Sequence, residues 1–158
     1  MRMAFLVLCI VFAGATDNSC FGQTKAKEDK RGKQLETEKT KLSTTNPANR
    51  AKSLMRIAEI TLSYVIDAAN ANDFLKMRSH VEEYRQAVTD ARDTMMKSGL
   101  DPHKKSRGFQ TVEIALRGQT RTLQDIARVL NVDERQPVEE AMNMVSKIRD
   151  EFFQALFG

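Results

Sequence analysis

His80 and His103 are the only histidines in the chain, and Cys9 and Cys20 the only cysteines. A metal centre needs several nitrogen, sulfur or carboxylate donors converging on one point, so the supply here is thin. Carboxylate-bridged helical centres use Glu-x-x-His repeats on facing helices. Met77 stands three residues before His80, and Gly99-Leu100-Asp101-Pro102 precedes His103, so neither histidine fits that pattern. Covalent haem attachment through Cys-x-x-Cys-His is absent. A non-covalent haem would need an inward histidine beside one of Met55, Met77, Met95, Met96, Met142 or Met144, yet His80 falls beside the apolar stripe and His103 at a helix start. The methionines read as adaptable core filler. No Gly-x-Ser-x-Gly elbow, catalytic cysteine arrangement or glycine-rich phosphate loop occurs. Glu82-Glu83 and Glu139-Glu140 are adjacent carboxylates, but neighbours on a helix point about 100° apart and do not share a substrate. The expectation is a protein that is not an enzyme and has no cofactor and no metal.

Four other features bear on binding. Gln119 falls where a core residue is due, beside Gly118; it reads as a core polar site, either a buried amide fixing register against a close helix or a gap that admits a ligand. His103-Lys104-Lys105-Ser106-Arg107 places positive charge at a helix start, where the helix dipole disfavours it, so Lys104, Lys105 and Arg107 form either a solvated loop or a surface for an acidic partner. Phe152-Phe153 and Leu156-Phe157 cannot all face one seam, which leaves Phe153 and Phe157 as a candidate partner surface. The pairs Glu113 with Arg117, Arg121 with Asp125 and Lys147 with Glu151 read as ordinary surface pairs.

The elements that must position these residues are helical throughout. Asn46-Pro47 is a cap followed by proline at the first helical position, and Leu54, Ala58, Thr61 or Leu62, Val65 and Ala69 give an inward stripe over about 47–69. Asn70-Ala71-Asn72 breaks it. Phe74, Met77, Val81, Tyr84, Val88, Ala91 and Met95 then alternate steps of three and four over 73–98, the strongest periodic signal in the chain, ending at Gly99. Asp101-Pro102 repeats the cap signal for a third helix over 102–130, with Phe109, Val112, Leu116, Gln119, Leu123, Ile126 and Leu130 on its stripe. A fourth, over 136–157, carries Val138, Ala141, Val145, Ile148, Phe152 and Leu156. No stretch alternates with period two, and no Asn-Gly or Asp-Gly turn occurs. Short connections favour antiparallel neighbours, so the predicted fold is all-α: an antiparallel up-down four-helix bundle of two helical hairpins over 46–158. The junction Ala68–Phe74 resembles that of a tetratricopeptide hairpin, without that family's 34-residue period or its Trp, Leu-Gly and Tyr landmarks, so the resemblance implies no function.

Met1-Arg2-Met3, the apolar run Ala4–Phe12 and the small residues Ala13-Gly14-Ala15 have the order of a secretory signal peptide, too short to span a bilayer. Cleavage is expected after Gly22, with Ala15 as the alternative. Lipid attachment at Cys20 is a minority reading, because Asp17-Asn18-Ser19 precede it where apolar and small residues belong. Residues 23–45 read as a charged flexible linker, in part helical. They hold seven bases (Lys25, Lys27, Lys30, Arg31, Lys33, Lys39, Lys41) against four acids (Glu28, Asp29, Glu36, Glu38), so most of the net charge of +4 sits there. Basicity confined to a tether gives the domain a weak field, and nucleic acid is not expected as a partner. The sequence points to an exported, periplasmic or extracellular protein-interaction module, with a protein partner or self-association expected and no membrane span once the signal is removed. The competing reading is a bundle holding haem, metal or an apolar small-molecule ligand between its helices.

Overall fold

A computed structural model of the chain describes residues 19–44 and 46–158, and all regular structure among them is helical. The apolar run and the Ala15 cleavage position lie outside the described residues; Cys20 and Gly22 fall in the first turns of the first helix. In order the elements are α1 (Ser19–Thr40), a 3-10 turn (Lys41–Ser43), α2 (Pro47–Asn70), α3 (Phe74–Met96), α4 (Ser106–Val129) and α5 (Val132–Phe157). No described helix is long and apolar enough to cross a membrane.

Local chemistry explains the boundaries. Asn46 Oδ1 accepts from the backbone N–H groups of Ala48 and Asn49, with Pro47 at the first position, so α2 starts where its cap predicts. At its end Asn72 takes the left-handed backbone (φ 55°) that lets the chain reverse, and Asp73 caps α3 through the Lys76 N–H. The lysine's hydrogen bond to Asp73 holds that carboxyl below its ordinary range. Two helix starts differ from the sequence expectation. Asp101 caps a single turn, accepting from the His103 N–H at 2.9 Å, and α4 begins only at Ser106. Conversely α5 starts at Val132, four residues early: Asn131 is extended and Asp133 and Glu134 suit the positive end of the helix dipole. Pro137 stands inside the helix at its sixth position, where it has no N–H for the Asp133 carbonyl.

The apolar stripes meet in one core. Leu54, Val65, Met77, Tyr84, Val88, Met95, Phe109, Leu116, Leu123, Val138, Val145 and Phe152 are all buried, and the Phe109 and Phe152 rings meet at 5.9 Å. Burying each such side chain is worth about 1.5–3 kcal/mol against its exposed state. α2 packs against α3 and α4, and α5 against α4 and α3, while α3 and α4 touch little. Within each hairpin the chain turns back on itself, so that Tyr64 meets His80 across α2 and α3 and Phe109 meets Phe152 across α4 and α5. Between hairpins the helices run parallel: Arg78 pairs with Glu134 (2.8 Å) and Arg92 with Glu151 (2.7 Å), so α3 and α5 advance together. The nine-residue connection after α3 carries the chain across the core to α4, which is why these consecutive helices are not neighbours.

α1 adds a fifth helix where the sequence suggests a tether. It lies on α2, where Arg31 pairs with Asp67, donates to Ser63 Oγ at 3.1 Å and stacks 4.8 Å from the Tyr64 ring centre. Along this segment Glu36 pairs with Lys39 and Glu38 with Lys41, while Arg31 reaches to α2.

Candidate functional site

The residues singled out in the sequence fall into a buried node and one end of the bundle. Gln119 is the node. Its Nε2 donates to the Met55 carbonyl at 3.3 Å and its Oε1 accepts from the Tyr84 hydroxyl at 3.1 Å, so one amide ties α4 to both helices of the first hairpin. Burial pushes the Tyr84 hydroxyl far up, keeping it a donor. These bonds use one of the amide's two N–H groups and one of its oxygen lone pairs, and they tie the hairpins in one alignment.

The end formed by the α4 start and the α5 finish collects the other five. Phe153 and Phe157 are 52% and 68% exposed, and their rings stack on each other at 5.0 Å, outside the core. Lys104, Lys105 and Arg107 are exposed at the same end. Lys104 has only a distant carboxylate, Asp101 at 3.7 Å, and Lys105 and Arg107 have no ion-pair partner among the described residues. The structure thus brings the aromatic pair and the basic cluster to one pole. Of the predicted surface pairs Glu113 with Arg117 forms, with Glu113 almost buried, whereas Asp125 pairs with Arg128 and Glu151 with Arg92.

His80 stacks its ring on Tyr64 at 5.5 Å, with Nδ1 at 3.2 Å from Glu83; His103 is exposed. Among the described residues no three His, Cys, Asp or Glu side chains gather as metal ligands.

One feature escaped the sequence reading, a groove along the outer side of α2 and α4. Its basic half, about 730 Å³, is lined by Lys41, Lys52, Arg56 and Thr111 among others. Its apolar half, about 510 Å³, is lined by Leu62, Ile66, Ile114 and Gly118, and the two halves share Glu59 and Ala115. Burial opposes ionisation of Glu38 at the basic end, but hydrogen bonds from Lys41 and Ser53 and the charges of Lys41 and Arg56 outweigh it and hold the carboxyl low.

The glycines of α4 carry the signal that marks this groove. A Cβ on Gly108 would stand 2.8 Å from Met95 Cε and 3.0 Å from Ala48 Cβ, so a close helix crossing requires that glycine. Among the described residues a Cβ on Gly118 would meet nothing within 4 Å. A mid-helix glycine costs about 1 kcal/mol relative to alanine, and at Gly118 no contact with the described residues calls for it. The close packing that the sequence suggests for Gly118 belongs to Gly108.

No known protein family, curated protein or solved structure matches the chain.

Proposed function

We propose that the protein is an exported, non-enzymatic four-helix bundle of the bacterial envelope that works by contact with another protein, as a scaffold or adaptor. The N-terminal order of basic, apolar and small residues supports export. The observation that carries the contact role is the stacked pair Phe153 and Phe157, which leaves two aromatic rings in solvent at the pole that also bears Lys104, Lys105 and Arg107. Exposed aromatic side chains outside the fold's own core, with cations at the same end, have the composition of an interface centre with a charged rim.

A photoreactive residue placed at position 153, and separately at 157, tests this in intact cells of the native host. The expected product is a discrete crosslink to an envelope protein or to a second copy of the chain. If neither position yields one, the reading falls. Light scattering on the purified protein separates the two products: self-association through this pole would be lost in Phe153→Ser/Phe157→Ser.

A further inference from the structure

The groove between α2 and α4 has walls but no occupant from the described residues of the chain. Its lining covers α2 from Asn49 to Ile66, about 26 Å at the helical rise, or roughly five turns of a helix laid alongside. The floor of the apolar half is low because Ala115 and Gly118 sit one above the other on α4, leaving room for another backbone to approach. Ile114, 64% exposed, rises at its edge.

Charge around this floor has one sign in excess. Ile114 lies seven residues from Arg107 and seven from Arg121, so the three share a stripe of α4 along the outer rim. Neither arginine has an ion-pair partner among the described residues, nor does Lys52 on the opposite wall. Arg56 and Lys41 have theirs, in Glu59 and Glu38. Lys52 on the wall of the basic half and Arg107 and Arg121 along the α4 rim therefore flank the groove without ion-pair partners among the described residues, while Glu59 between the halves is taken up by Arg56. This is the complement of an amphipathic segment with carboxylates beside its apolar stripe. Of its apolar residues only Ile114 rises to the rim, while Leu62 is buried and Ile66 half-buried, so the surface suits a segment that fills a trough better than a flat anionic membrane.

We propose that this groove is the docking site of an acidic amphipathic helix of a partner protein, its apolar stripe on Leu62, Ile66, Ile114 and Gly118 and its carboxylates toward Lys52, Arg107 and Arg121. The proposal rests on the contact role above and gives it a second surface with a stated partner chemistry. Gly118 then has a purpose: any side chain there would stand where the docked helix lies.

The test uses the isotope-labelled protein and a helical peptide of about 18 residues, roughly the groove's length, with leucines on one stripe and glutamates flanking it. Comparison probes are the same peptide with lysines for glutamates and vesicles rich in phosphatidylglycerol. The glutamate peptide is expected to shift amide resonances of Ile66, Ala115 and Thr122, and to bind at least tenfold tighter than the lysine peptide. Gly118→Leu is expected to weaken it at least tenfold with the melting temperature unchanged or raised; Ile114→Ser, at an exposed position, is the second variant should leucine disturb the fold. Equal affinity for both peptides, shifts outside the groove, indifference to both substitutions, or binding to vesicles alone would each overturn the proposal. Crosslinking at Phe153 is read independently. Failure there with peptide binding intact removes the polar contact surface and leaves the groove, and the reverse result removes the groove alone.

Discussion

α1 and α4 are nearly the same length, yet they are helices for different reasons. α4 buries Phe109, Val112, Leu116, Leu123 and Ile126 along one side and turns arginines to the other, so its register is set by the core it completes. α1 spends its length in charged residues, and Leu35 is only half-buried. What fixes it to α2 is the Arg31 guanidinium between Asp67, Ser63 and Tyr64, with Glu38 opposite Arg56 and Ser53 about two turns on. Ile60, buried but apart from the main core cluster, is the apolar residue of α2 that α1 helps to cover. Apolar burial commits a helix to a fold, whereas a few charge-assisted contacts hold one in a place that conditions can loosen.

The contrast predicts unequal losses. Phe152→Ala opens a cavity at the Phe109 contact and is expected to cost about 3–5 kcal/mol in denaturant unfolding. A loss under about 1 kcal/mol would mean that the core is not closed there. Gln119→Leu comes next. It leaves the buried Tyr84 hydroxyl without its acceptor, at an expected cost of about 1–3 kcal/mol, and Tyr84→Phe in the same chain should recover part of it, since removing both partners is far cheaper than orphaning one. An absent recovery in that double-mutant cycle would show that the amide acts through the Met55 carbonyl alone.

That split between helices also decides what the sequence could disclose. Steps of three and four located the α3 stripe from Met77 to Met95 and the α4 stripe including Gln119, because a helix that must hide one side repeats its apolar residues at the helical period. Cap chemistry placed the α2 start correctly and the α4 start four residues early, since Asp101 satisfies a turn as readily as a helix. Which helices adjoin was less legible: a nine-residue connection permits a neighbour or a diagonal, and the choice of the diagonal came from packing. The ordered seat of α1 had no periodic signature, because its anchor is one arginine meeting groups more than thirty residues away. Phe153 and Phe157 were identifiable as surplus to one seam; the groove was not, since it is made by residues from two helices, and Gly118 gains meaning only beside Gly108.

Arg31→Ala sharpens the comparison from the other side. Its ion pair is partly open to solvent, so global stability should fall by no more than about 1 kcal/mol. Amide exchange through 31–40 should nevertheless accelerate strongly, while the amides of α4 keep their protection. Raised ionic strength should do the same to the unmodified protein, weakly. If α4 exchanged along with α1, the two would belong to one cooperative unit and the distinction drawn here would be lost.

Acidification should have the smallest effect, and its sign is fixed by Glu38. The folded carboxyl lies below its ordinary 4.5 because Lys41, Ser53 and Arg56 outweigh the burial that opposes ionisation. Its contribution is therefore complete above that value and is lost as pH falls through the lower, folded one. Since the group is half-buried and still reaches solvent, water screens part of the gain, and the change belongs to the seat of α1, not to global unfolding. Amide exchange near 38–42, corrected for intrinsic rates, should rise between about pH 5 and pH 3 in the natural protein. Glu38→Gln should flatten that dependence and show the looser seat at neutral pH; a pH response unchanged by the substitution would assign the titration to a different carboxylate on this helix.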